Sequence, residues 1–403
     1  MLSALSQRAR LVVLGVVGAT AAFFVFGGAR TGASSGNPFD AVPRDSFLVA
    51  TVNLAELRRS PLHDVLFGKD ATGRGGKGDV PMLGAKALGI GKLADACGFD
   101  PLMRVEQLAV AVPEEGDKGE LGMAARVTVT RDELSTCTRN LAGQRGGKVD
   151  TKDVGSFVVV EESAGAQETA RPRLAYGHGG LLVVGRGAWF DAMLAAADGK
   201  KPGVREAEAH AAMRSSLTSR DGWRSPTVLI SALLPRSLRD RLKGEMAAEV
   251  ASDGKDRDES QHVMSGVLDV SAVGLALRAG TSGQSIDAAV ELVCDTEDGC
   301  AAVEKLILKK RLDWSKELTL RMVGFGPLLD SIDVKRGGAR LRVTAGAAAD
   351  PLASTIDRVL RLGGRSSEDR AGARAAPVPF GATTGPRSEP KPDETIPAPR
   401  PSR

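Results

Sequence analysis

Eighteen consecutive residues, Leu11 to Gly28 (LVVLGVVGATAAFFVFGG), carry no charge. An apolar helix crosses a bilayer with roughly 17 to 25 residues, whereas the apolar region of a cleaved signal peptide has only about 7 to 15. A helix on a soluble core usually keeps a polar face, and this run has none. Arg8 and Arg10 precede it, and positive charge on the N-terminal side holds that end in the cytoplasm. The expectation is a protein of the bacterial inner membrane. It has a basic cytoplasmic end (1–10), a transmembrane anchor or signal segment (11–28), a linker (29–42) and a periplasmic body. Gly27-Gly28-Ala29 and Thr31-Gly32-Ala33 offer small residues to a signal peptidase, so cleavage, with release of the body into the periplasm, stays open. No cysteine lies near the segment, which argues against a lipoprotein.

The body is long enough to bury one large or two modest cores. Aromatic residues make up 4% of the chain, so Ala, Val and Leu must fill those cores and little is left for stacking on bases or sugars. The net charge of +4 is close to balance, and no Lys/Arg run with interleaved aromatics occurs, which argues against a nucleic-acid partner.

From Asp45 a pattern runs and then recurs. Phe47–Val52 reads as a strand, and Asn53 with Glu56 has capping-box spacing for a following helix. Thr227–Leu234 opens the second half, with Pro235 at a helix start. Two strands and a helix follow in each half: Val105–Val112, Leu121–Thr130 and a helix from Asp132, then Val270–Leu277, Ser285–Val293 and a helix from Glu297. VEQLAVAV lies over VSAVGLAL, and RVTVTRDELSTC over AVELVCDTEDGC, so that Cys137 and Cys300 coincide. A Gly-Gly turn then feeds a strand and a helix in HGGLLVVGRGAWFDAML and in RGGARLRVTAGAAADPLASTIDRVL. Each half reads as strand–helix, hairpin–helix, hairpin–helix. The expected fold class is α+β: two tandem pseudo-repeats, 43–218 and 219–363, of mainly antiparallel strands with helices on one face. The seam falls at Ser219–Pro226. Gly68–Gly78 and Ala251–Gln261 read as loops. The tail, 364–403, is rich in Pro and charge and reads as disordered, with polyproline II character.

Four cysteines allow three connectivities. In an oxidising compartment they are expected to pair, Cys294 with Cys300 as a local staple and Cys97 with Cys137 across a hairpin. No C-x-x-C and no His at zinc-like spacing from a Cys occurs, so the metal reading is set aside.

Other chemical motifs fail. GAKALGIGK (Gly84–Lys92) lacks phosphate-loop spacing and has Leu93 where a magnesium-ligating hydroxyl belongs. No G-x-S-x-G is present. Ser252 and Lys255 match S-x-x-K only within a charged loop. His178 reads as a solvent-facing turn residue, His63 shares no helix face with Asp64, and His210 and His262 read as polar edge positions. Asp295, Glu297 and Asp298 lack calcium-loop spacing and suit a helix N-terminus. No catalytic, cofactor-binding or metal residue is assigned.

VPRDSFLVATVNLAELRRSPL, CGFDPLMRVEQLAVAVP and GGLLVVGRGAWFDAML give the chain a resemblance to uncharacterised exported or membrane-anchored envelope proteins of high-GC bacteria. The resemblance covers about residues 40 to 200 and recurs weakly to 360. It implies an exported body of two α+β repeats and supplies no catalytic residue. The expected function is a non-catalytic binding or scaffold module of the envelope, held at the cytoplasmic membrane by 11–28 and with an envelope protein as partner. The alternatives are a hydrolase with a site in the cleft between the repeats and a carrier of an apolar ligand.

Overall fold

The computed structural model describes residues 36–60, 91–114, 121–144, 146–163, 172–219, 225–243, 266–279 and 285–356. The proposed anchor, both long loops, His63, His262, the S-x-x-K match and the tail lie outside them. Among the described residues no helix is long and apolar enough to cross a membrane.

The chain is α+β and is built on one large antiparallel sheet. Its strands are β1 (Ser46–Asn53), β2 (Val105–Pro113), β3 (Gly122–Val127), β4 (Lys148–Val154), β5 (Phe157–Ser163), β6 (Arg173–Gly177), β7 (Leu181–Gly185), β8 (Val228–Leu233), β9 (Val270–Ala279), β10 (Ser285–Cys294), β11 (Asp333–Gly337) and β12 (Arg340–Ala348). Across the sheet they run β11-β12-β10-β9-β8-β1-β2-β3-β7-β6-β5-β4. The two halves of the sequence therefore join at one seam, where β1 pairs antiparallel with β8 from Leu48–Ala232 to Val52–Val228.

Burial along the central strands explains the layers. Val49 lies on one face with Ala109, Ala111, Ala124 and Val183. Leu48, Ala50 and Val52 lie on the other with Leu108, Val110, Ala125 and Val127. Alternate residues point to opposite faces, so a sheet apolar on both faces needs cover on both. The first face is covered by α3 (Gly187–Ala197), through Trp189, Phe190, Met193 and Leu194, and by α4 (Glu208–Thr218), through Met213 and Leu217. The opposite face receives Leu134 of α2 (Arg131–Gly143). It also receives Cys300 and Val303 of α5 (Glu297–Lys316), packed on Leu341. Leu341 is in register through Leu292 and Val273 with Ala232, which belongs to the Leu48 side. The expectation of helices on one face is thus corrected: a strand such as β2, buried at seven of nine positions, leaves no face for solvent.

Asn53 caps the following helix, its side chain accepting from the Glu56 amide, but the reciprocal half of the expected capping box is not made, because the Asn53 amide donates to the Thr227 carbonyl. The complete capping box is that of Thr130 with Glu133 at the start of α2. The turn His178–Gly180 between β6 and β7 uses Gly179 and Gly180 at φ 76° and 72°. A Cβ on Gly180 would also run into the Val127 carbonyl oxygen. α3 approaches β3 at Gly122, and its Trp189 Nε1 donates to the Ala111 carbonyl (3.2 Å). The cysteines pair as Cys97–Cys137, joining α1 (Gly91–Cys97) to α2, and as Cys294–Cys300, across the turn from β10 to α5.

Two sequence expectations change. The β4–β5 hairpin, turning at Gly155-Ser156, gives the first half a strand pair that the repeat pattern omitted. The strand placed at Leu121–Thr130 ends at Val127, and Thr130 serves instead as the helix cap.

Candidate functional site

The seam positions the site. α4 lies across β8 and β9, with His210, Met213 and Leu217 as its buried stripe. The next positions round the helix, Arg214, Ser215 and Thr218, face a cleft of about 400 Å³ over β1 and β2. Its floor is Thr51, Asn53, Gln107, Ala109 and Leu229, which register across β2, β1 and β8. Phe39, on the short 3-10 turn Pro38–Ala41, stands opposite α4, and Arg205 and Ser225 complete the rim.

Arg214 is fixed from three sides. One Nη donates to Thr51 Oγ1 of β1 (2.7 Å), the other to the Leu229 carbonyl of β8 (3.3 Å), and its Cζ lies 4.4 Å from the Phe39 ring centre. Arg205 lies over the same ring at 5.1 Å and pairs with Asp40. Burial, with the Arg205 charge adding to it, pushes the Arg214 guanidinium down to about 10. Among the described residues no carboxylate pairs with it.

A second cavity, of about 520 Å³, borders the N-terminal half of α4 at Ala209, Ala212 and Met213. It is lined by Phe47, Leu233 and Val293 with charges of both signs, from Arg44, Asp45, Glu114 and Arg340. The two cavities are separate spaces beside one helix rather than one long apolar tunnel.

Between them, in the core, lies a polar cluster that corrects the reading of His210. It is fully buried on α4, not at a polar edge. Its Nε2 is 2.8 Å from the Ser46 carbonyl, which can only accept, so Nδ1 is the acceptor for the Ser231 hydroxyl at 2.8 Å. Burial holds this imidazole below the usual histidine range, against the opposing effect of the Ser46 bond. A serine beside a neutral histidine has the elements of a nucleophile and base. Both are closed to solvent, though, and neither lines either of these two cavities. The pair instead ties α4 to β8 and β1. Farther along, buried Glu291 accepts from Ser216 Oγ (2.7 Å) and Arg340 (3.0 Å), which fixes α4 to β10 and β12.

His178 is exposed in its turn. Asp295 pairs with Arg239 at 2.6 Å, while Glu297 and Asp298 occupy the first turn of α5. Among the described residues no three His, Cys, Asp or Glu side chains converge as metal ligands. Sequence reading missed Arg214 and Phe39, which are far apart in the chain and carry no spacing signal.

No known protein family and no curated protein matches the chain. A crystal structure of TP0453 (crystal form I) is similar at a TM-score of 0.37 and 11% identity, over 81% of this chain and 99% of that one.

Proposed function

We propose that this chain is a membrane-anchored protein of a bacterial envelope, held by residues 11–28, with a periplasmic body that binds or scaffolds and does not catalyse. One observation carries the reading. The cleft at the seam converges cations, amides and hydroxyls but, among the described residues lining it, no carboxylate, imidazole, thiol or amine. Such a lining can hold and orient a ligand but has no group to move a proton at neutral pH. The hydrolase alternative would draw on Ser231 and His210, which are buried and line neither of the two cavities described. The uncharged N-terminal run supports the anchor, and the paired cysteines suit an oxidising compartment.

The body is read as a duplication. From the seam outward, β1-β2-β3-β7-β6 and β8-β9-β10-β12-β11 run in corresponding order, with β4–β5 as an addition to the first half. Aligned Cys137 and Cys300 support this although each bridges to a different partner.

The test is crosslinking in intact cells, with capture through the C-terminal tail and mass spectrometry. The expected result is one dominant envelope protein, retained when Ser231 is replaced by Ala. Recovery of the bare monomer at efficient crosslinking would overturn the scaffold reading. So would a substrate turnover that S231A abolishes without unfolding the body.

A further inference from the structure

We propose that the seam cleft is an oxyanion site in which Arg214, held over the Phe39 ring, presents its unused N–H groups to a ligand carboxylate or phosphate. This goes beyond the binding-module reading by naming the ligand class, and it rests on that reading only for the absence of turnover.

Four observations carry it. First, the charge is partly buried and has no counter-ion among the described residues. Buried charges are normally paired, as the 10%-exposed Arg239 side chain is with Asp295 at 2.6 Å. Arg214 has only a hydroxyl, a carbonyl and a ring. Second, the guanidinium is already oriented. A guanidinium has five N–H donors in a rigid fork. Thr51 and Leu229 engage one on each terminal nitrogen, so the remaining donors are held in a fixed plane before a ligand arrives. Third, Arg205 on the same ring adds like charge that its exposed pairing with Asp40 only partly offsets. An anion between the two cations would relieve that repulsion. Fourth, the floor adds Gln107, whose side-chain amide has no partner among the described residues, and the rim adds the exposed hydroxyl of Ser215. A space of about 400 Å³ suits a small molecule. Its lining of amides, hydroxyls and cations favours a compact hydrophilic anion over an acyl chain.

The full chain in neutral detergent is titrated with inorganic phosphate and, separately, with acetate. Sodium chloride at equal ionic strength is the control, and thermal unfolding and calorimetry are the readouts. The expected result is a saturable rise in Tm with phosphate, acetate or both, above the chloride control. Whichever anion acts assigns the group. Arg214→Gln is expected to weaken the response at least about tenfold, the loss of one charge-assisted contact. Arg214→Lys keeps the charge, loses the fork and should rescue it only in part. Because Arg214 also bridges β1 and β8, its variants can lose stability on their own account. Gln107→Leu, which breaks no side-chain hydrogen bond among the described residues, should then weaken binding several-fold at unchanged ligand-free Tm. Responses to phosphate and acetate no larger than chloride, or equal in wild type, R214Q and Q107L, would overturn the site. Phosphate release from p-nitrophenyl phosphate, lost in R214Q, would leave the site standing and overturn the non-catalytic reading instead.

Discussion

At the scale of single residues, the sharpest constraints are glycines whose role can be separated into strain and space. Gly180 and Gly199 have nearly the same backbone, φ 72° and 69°. A side chain at Gly199 would meet nothing within 4 Å, whereas one at Gly180 would run into the Val127 carbonyl. Placing Ala in the left-handed region costs roughly 1–2 kcal/mol. Gly199→Ala should therefore cost about 1 kcal/mol, and Gly180→Ala distinctly more, because β6–β7 must also move away from the end of β3. Urea denaturation of the two variants checks this, and equal losses would show that the contact yields without cost. The same contrast explains what was readable. HGG marks a hairpin in the sequence because glycine chemistry is local. The reason the second glycine cannot change is a carbonyl more than fifty positions earlier, which no local pattern reports.

At the scale of elements, α4 is the piece that turns a sheet into a body with a site, and its pH response follows from His210. The imidazole is held below its ordinary value by burial. In the window from the unfolded value near 6.5 down to the folded one, the unfolded chain binds a proton that the folded chain refuses. Stability from this group should therefore be full above the unfolded value and fall as pH drops through that window. Denaturation midpoints between pH 8 and 5 should show the loss in the wild type and a shallower one in His210→Gln. Parallel curves would mean that the protonated ring finds a partner.

Disulfides act at the same scale. Cys97–Cys137 spans 40 positions and Cys294–Cys300 spans 6. The chain-entropy relation gives about 4 and about 2 kcal/mol for loops of these sizes. Replacing the first pair by alanines should lower the urea midpoint more than replacing the second. The pairing was legible because Cys294 and Cys300 flank one predicted strand–helix turn, which leaves Cys97 and Cys137 to each other. Helix placement was not, since reading a strand as half-buried assigns all cover to one side. β2, with Ala109 and Ala111 on one face and Leu108 and Val110 on the other, needs cover on both. The β4–β5 hairpin escaped for a related reason. β4 is KVDTKDV, exposed at nearly every position, and an edge strand of this kind is charged because solvent reaches it.

At the scale of the whole molecule, the seam decides whether the two halves are one folding unit. Five register pairs join β1 to β8. Arg214, His210 and Ser216 of α4 reach across to β1, β8 and β10, so an element from the first half is bonded into the second. The apolar partners of α4 are likewise second-half residues, Leu229, Ala272, Ala276 and Ala289. Residues 43–218 expressed alone would thus leave β1 as a bare edge beside a helix stripped of its core contacts. An unpaired apolar edge strand is a template for another chain, and two copies related by a two-fold axis could each offer β1 to the other. The full chain should accordingly unfold in one transition, with β1 and β8 amides exchanging at matched rates. The isolated half should appear by light scattering as a dimer or larger assembly. A stable monomer of 43–218 would mean that α4 and β1 are complete without the second half. The cleft would then be a surface groove between independent domains rather than a site created by their joining.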